Sequence, residues 1–253
     1  GPLTIVLPRR RIVPDVVTGG LDTVAVRLPD SAVARELIRL AGVPVAAPSA
    51  NTSGRPSPTT AEAVKADLDG RIAAIVDAGP CQVGVESTIV DCSTPVPTLL
   101  RPGGITLEML QAVLGDVACD PALKGPTTVR PKAPGMKYRH YAPAAPLILV
   151  EAEPAVAEAI IKREVTAALA RGERVGAIVS AETAAELPAS VVTAVYGERG
   201  DYAAMAKRLY QCLRRFDLVP VDIIFAEGVA ETGLGLAVMN RLRKAAGYHI
   251  LRQ

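Results

Sequence analysis

The chain has 253 residues, 49% of them hydrophobic and 21% charged, which is enough for a sizeable core in one large or two ordinary domains and excludes a disordered chain. Aromatics make up 3% with no Trp, so base stacking is excluded as the main way of holding a nucleic acid. The formal net charge of +2 does not mark the whole chain as a polyanion binder, although a local basic patch stays open.

Cys81, Cys92, Cys119 and Cys212 show no CxxC spacing, and His140 and His249 are the two histidines. That pattern predicts neither a zinc site nor a disulfide framework, and reduced thiols in a cytoplasmic protein are expected. No apolar run reaches about 18 residues without a charge or a breaker, so no membrane span is predicted. No charged segment precedes an apolar one in the manner of a signal peptide.

The chain opens on a strand-like run, GPLTIVLP, with no lead-in, which predicts that the natural protein begins upstream. Short runs rich in Val, Ile and Leu predict strands over Thr4–Leu7, Thr23–Leu28, Val43–Ala47, Ile72–Asp77, Ser87–Asp91 and Thr98–Arg101. Helices are predicted over Ser31–Ala41, Thr60–Leu68 and Thr106–Leu114. Ser31 or Asp30 is the candidate cap of the first and Thr106 of the third; Thr59 with Glu62 fits a capping box, and Gly115 a helix stop. Residues 1–115 form one predicted domain.

Residues 116–145 differ. The stretch DPALKGPTTVRPKAPGMKYRHYAPAAP holds six prolines and five Lys or Arg, a density that forbids a long helix or a central strand. It reads as a basic, extended linker. From 146 to 253 apolar strands alternate with helices: LILV, Pro154–Arg171, RVGAIVS, Ala181–Leu187, VVTAVY, Asp201–Phe216, VDIIFAE and Leu236–Ala246. Such alternation predicts a parallel sheet covered on both faces, a small Rossmann-like α/β domain. No GxGxxG follows its first strand, so no dinucleotide site is predicted there. The glycines of GLGLAVMNRLRKAAG read as loop and helix packing.

The stretch APSANTSGRPSPTT, from Ala47 to Thr60, carries the chemistry. Ser49, Thr52, Ser53 and Ser57 offer hydroxyl donors, and Pro48, Pro56 and Pro58 restrict the backbone, so ordering it on a ligand costs less. Anion-binding nests look like this, and so does a plain surface loop of turn formers. In DTVAVRLPD, Thr23 and Arg27 stand four apart in a predicted strand and face one side. An Arg on a sheet face needs a carboxylate or phosphate partner. GVESTIVD puts Ser87 and Thr88 at a strand start, and LLRPGG ends a strand with Arg101. Two arginines and several serines at strand ends suit an anionic ligand.

Together, GPLTIVLP, TVAVRLPD, VPVAAPSANTSGRPSPTT, GVESTIVD and LLRPGGIT resemble the YrdC/Sua5 family of L-threonylcarbamoyladenylate synthases. PGMKYRHYAP resembles the linker before the Sua5 domain, and AVMNRLRKAA the end of that domain. The resemblance implies a twisted mixed-sheet YrdC-like domain, incomplete here, followed by a parallel Sua5 domain. It implies synthesis of threonylcarbamoyl-AMP and pyrophosphate from L-threonine, bicarbonate and ATP with Mg2+. The product feeds the t6A transferase machinery that modifies tRNA.

By position in the motifs, the family's ATP contacts fall on Thr23, Ser49, Ser57, Arg101 and Tyr141, and its threonine contacts on Arg27, Ala47 and Ser87. Tyr141 makes the linker an expected lid. The motifs single out no catalytic acid or base and no metal ligand. Family members carry a Lys- and Arg-bearing segment ahead of GPLT, so these residues alone are expected to be weakly active or inactive. Two other readings stand beside this one. The first is a non-catalytic RNA-binding module using Arg9–Arg11, Arg55 and the linker lysines. The second is the YrdC-like part of a hydrogenase maturation protein, which this chain fits less well, having neither acylphosphatase nor zinc-finger segments.

Overall fold

The computed structural model of the protein describes residues 1–123, 125 and 141–252. Most of the predicted linker, with Tyr138 and His140, lies outside the described residues. The chain divides into two units, Gly1–Ser49 with Glu86–Lys137, and Ala50–Val85 with Tyr138–Gln253.

The first unit is built on strands β1 (Leu3–Pro8), β2 (Thr23–Val26), β3 (Thr88–Asp91), β4 (Thr98–Arg101) and β5 (Ala118–Cys119), with helices α1 (Asp15–Thr18), α2 (Ala32–Ala41) and α4 (Leu107–Leu114). Its sheet runs β2-β1-β3-β4-β5. It is mixed: β1 pairs antiparallel with β2 and parallel with β3, which pairs antiparallel with β4. Val6, Ile89 and Leu100 form its small packed cluster. Helix α2 starts where its sequence says, with the Ser31 hydroxyl accepting from the Ala34 amide, but it buries none of its side chains. Leu37 and Leu40 are both more than half exposed. Helix α4 is capped by Thr106 and stopped by Gly115, as predicted.

The second unit holds α3 (Ala61–Leu68), then β6 (Leu147–Glu151), α5 (Pro154–Ala170), β7 (Val175–Ser180), α6 (Ala181–Ala185), β8 (Val192–Gly197), α7 (Tyr202–Leu218), β9 (Ile223–Glu227), α8 (Gly235–Ala245) and β10 (Ile250–Arg252). All pairings in its sheet are parallel, in the order β10-β6-β9-β7-β8. Alternate residues of each strand feed two cores. Leu149, Ile178, Ile224 and Ala226 pack with Leu209, Leu213 and Phe216 of α7 and Val238 and Leu242 of α8. Val150, Ala177, Val179 and Phe225 pack with Ile161, Val165 and Ala168 of α5. This is the doubly covered parallel sheet that unbroken apolar strands require. No helix among the described residues is long and apolar enough to cross a membrane.

Two predicted strands are absent. Residues 43–47 and 72–77 run as irregular chain, with Val43, Val45 and Val76 more than half exposed. Pro44 removes a ladder donor from the first run, Pro48 follows it directly, and no described strand pairs with it. The Ser-rich stretch therefore does not follow a strand. Its helix is capped by Thr60, whose hydroxyl accepts from the Ala63 amide. With the cap at Thr60, Glu62 is the second helical residue and not the third, so the Thr59–Glu62 capping box does not form. Helix α1 and strands β5 and β10 were not predicted. Each is four residues or fewer, too short to show a period.

Candidate functional site

In the first unit Ser87, at the foot of β3, is the centre of a buried polar group. Its hydroxyl lies 2.7 Å from that of Thr4 on β1, across the parallel pair. Arg101, the last residue of β4, donates from Nε to the Ser87 carbonyl at 3.1 Å and from a terminal nitrogen to the Ser87 hydroxyl at 3.2 Å. Ser87 and Arg101 are both over 90% buried. A guanidinium held this way is a fixed positive charge whose geometry is set before a ligand arrives.

The turn after Arg101 is pressed onto the same backbone. A Cβ on Gly103 would come within 2.3 Å of the Glu86 carbonyl oxygen and 2.4 Å of the Thr88 amide nitrogen. The Thr88 hydroxyl accepts from the Ile105 amide at 2.9 Å. The sequence pointed to Ser87 and Arg101, and the structure brings them into contact. It missed Thr4 and Gly103, since a cross-strand partner and a close backbone approach leave no local signal.

Arg27 lies one residue past β2, and its side chain is exposed, with Nε donating to the Gly1 carbonyl at 3.0 Å. The expected strand ran through Arg27; pairing instead ends at Val26 opposite Ile5, so strand parity does not orient Arg27. Thr23 begins β2 opposite Pro8 and is half-buried. Ala47 and Ser49 sit on exposed irregular chain.

The second unit carries Ser57 and Tyr141. Ser57 is buried, as are Pro56 and Thr59 beside it. The Asn51 side-chain amide donates to the Thr52 and Arg55 carbonyls, closing the turn ahead of it, while its Oδ1 is buried without a hydrogen-bond partner among the described residues. Tyr141 is 1% exposed with a φ of +66°, which few non-glycine residues adopt. Its ring lies 5.2 Å from that of Tyr210 on α7, and the fully buried Arg241 guanidinium stands 5.9 Å above it. The Arg241 of AVMNRLRKAA and the Tyr141 of KYRHYAP are thus one packing unit, though far apart in the chain.

The second unit also has a cavity of about 520 Å³ at the carboxyl ends of β6, β8 and β9. Charge lines it, and the charges pair: Arg243 with Glu151 and Glu231, and Arg199 with Glu158 and Glu227. The four cysteines are free. Burial pushes the Cys212 thiol up to about 12, which leaves it unreactive. No group of three or more metal-ligating side chains occurs among the described residues. Of the basic residues open to an RNA, Arg9 is paired with Asp15 at 2.5 Å and Arg55 lies 3.5 Å from Asp67.

Comparison with known proteins gives this architecture its relatives. A family model described as "Threonylcarbamoyl-AMP synthase, C-terminal domain" matches residues 105–247, and one described as "Telomere recombination" matches residues 1–103. The threonylcarbamoyl-AMP synthase of Pyrococcus abyssi is 47% identical over 252 residues, covering 100% of this chain and 72% of its own length. That of Bacillus subtilis is 48% identical, covering 100% and 71%, and that of Schizosaccharomyces pombe 40% identical, covering 97% and 64%. The crystal structure of P. abyssi Sua5 complexed with L-threonine superposes with a TM-score of 0.93 at 47% identity, over 100% of this chain and 72% of that one. The family model over residues 105–247, identity near one half along the whole length and the superposition on a solved Sua5 structure agree: the chain belongs to the Sua5/YrdC family of threonylcarbamoyl-AMP synthases.

Proposed function

We propose that the protein makes L-threonylcarbamoyl-AMP and pyrophosphate from L-threonine, bicarbonate and ATP, for the t6A modification of tRNA. The observation that carries this reading is identity of 47–48% along the entire chain to two threonylcarbamoyl-AMP synthases. The threonine amine condenses with bicarbonate, losing water, to give a carbamate. A carbamate oxygen attacks the α-phosphorus of ATP, and the bond to the bridging oxygen breaks to release pyrophosphate. Negative charge grows on the phosphoryl oxygens, so fixed cations contribute most.

Arg101, Thr23, Ser49, Ser57 and Tyr141 are assigned to the nucleotide, and Arg27, Ala47 and Ser87 to threonine. The exposed Arg27 guanidinium suits the amino acid carboxylate, which it can meet with two parallel hydrogen bonds. Ser87 accepts from Arg101, so an order imposed on one group reaches the other. Mg2+ enters with ATP as part of the substrate, held mainly by phosphate oxygens.

The test is pyrophosphate release from ATP, measured with threonine and bicarbonate supplied together and singly. Release is expected only with both, and slowly from these residues alone. Arg27→Ala should weaken threonine binding by about 2–5 kcal/mol, the cost of losing a charge-assisted pair, and leave ATP binding unchanged in calorimetry. Equal threonine affinity in the variant would overturn the assignment. Salt-dependent RNA binding with no turnover would favour the RNA-binding reading instead.

A further inference from the structure

The segment Ala50–Val85 belongs to the same compact unit as the parallel sheet, although residues 86–137 separate them in sequence. Helix α7 grips it at two points. Near the helix start, the segment's end passes close over the backbone: a Cβ on Gly84 would stand 2.3 Å from the Lys207 Cα and 2.5 Å from the Ala206 carbonyl oxygen. Val83 and Val85 drop into the core on either side. Two turns on, Arg214 reaches the other end. Its terminal nitrogens donate to the Pro56 carbonyl at 2.9 Å, the Ala63 carbonyl at 3.2 Å and both oxygens of Asp67 at 2.7 and 3.1 Å.

Asp67 passes the constraint on. Its side chain is fully buried, and it also accepts from the Thr52 amide at 3.3 Å, with Arg55 at 3.5 Å. One guanidinium thus ties the chain on both sides of Ser57: directly at Pro56 and Ala63, and through Asp67 at Thr52. These contacts converge on the stretch that holds the hydroxyls.

We propose that Arg214 and Asp67 are positioning residues for nucleotide binding, through which the C-terminal parallel domain holds the Ser57 segment in its ligand-ready form. The proposal rests on the nucleotide reading of Ser57 given above. Neither residue touches substrate; each acts by fixing the backbone that presents Ser57. Every threonine contact assigned above lies outside this unit, so the effect should be selective for ATP.

The experiment uses the full chain and two variants. Arg214→Lys keeps the charge but cannot span four acceptors. The double variant Arg214→Met with Asp67→Leu removes both charges together, so no buried charge is left unpaired to unfold the protein. ATP and threonine affinities are measured separately by calorimetry, with melting temperature and amide exchange alongside. Expected are ATP affinity reduced by about ten- to a hundredfold, threonine affinity within about twofold, and faster exchange over 52–63 with β7 and β9 unchanged. Exchange and ATP affinity equal to the parent's would overturn the proposal. So would parallel losses of both affinities tracking the melting temperature, the mark of a merely structural pair. A parent chain that binds no ATP overturns the nucleotide reading and the functional half of the proposal. The exchange data alone then decide whether the clamp exists.

Discussion

Asp67 shows how one buried residue couples a loop to pH. The hydrogen bond from Arg214 is the largest of the effects that hold its carboxyl below the usual aspartate range, against the opposing pull of burial. A carboxyl depressed in the folded state contributes stability above its unfolded value, about 3.9, and loses it as pH falls through the lower folded value. Urea unfolding measured between pH 2 and 5 should therefore show stability rising with pH, and Asp67→Asn should remove that part of the slope. At pH 7 the same variant should be less stable by roughly 3–5 kcal/mol, because the Arg214 charge stays mostly buried without its partner. A pH slope unchanged by the substitution would remove Asp67 from this role. The opposite case is Asp222, held down to about 2 by Arg174 on an exposed surface, where solvent screens the pair and little stability follows.

At the level of elements, helix α7 serves three neighbours at once. Met205, Leu209, Leu213 and Phe216 repeat at helical spacing and enter the core against the sheet. Tyr210 meets Tyr141, and Lys207 with Arg214 takes the Ala50–Val85 segment. Gly84 is the position most sensitive to this packing. Its φ is +83° and its missing Cβ is the space the α7 backbone fills. Gly84→Ala should destabilise by about 1–3 kcal/mol or more, since backbone strain and overpacking act together. Thermal melts will show it, and proteolysis should then cut first near 81–85. Stability within ~0.5 kcal/mol of the parent would mean that the segment rides loosely on the helix. An adjacent site explains why Tyr141 is better tested as Tyr141→Phe than as Tyr141→Ala. The first removes only a hydroxyl, while the second opens a cavity beside Tyr210 and Arg241.

The two units differ in how much they bury. The parallel sheet is packed on both faces by α5, α7 and α8, whereas the mixed sheet rests on a cluster of Val6, Ile89 and Leu100 and leaves α2 without a buried side chain. Stability should follow. Amides of β7 and β9 should exchange far more slowly than those of β1 and β2, with the slowest protection in Ala177–Val179 and Ile224–Ala226. Uniform protection across both sheets, read by mass spectrometry, would contradict this.

Local pattern was enough for β6, β7, β8 and β9 of the parallel sheet and for its helices, because each apolar strand and each amphipathic helix writes its own period into a few neighbouring residues. Caps at Ser31 and Thr106 were legible for the same reason, being contacts three residues apart. The motifs holding Ser87 and Arg101 were legible by resemblance. Pairing across distance was not. Thr4 beside Ser87, Arg214 on Asp67 and Arg241 over Tyr141 join residues separated by 83 and 147 positions in the first two cases, and no local signal encodes them. The same holds for Val43–Ala47, an apolar run that has strand composition but no described strand to pair with. Composition offers a strand; only a neighbour's free hydrogen-bonding edge makes one, and that edge is a property of the tertiary structure.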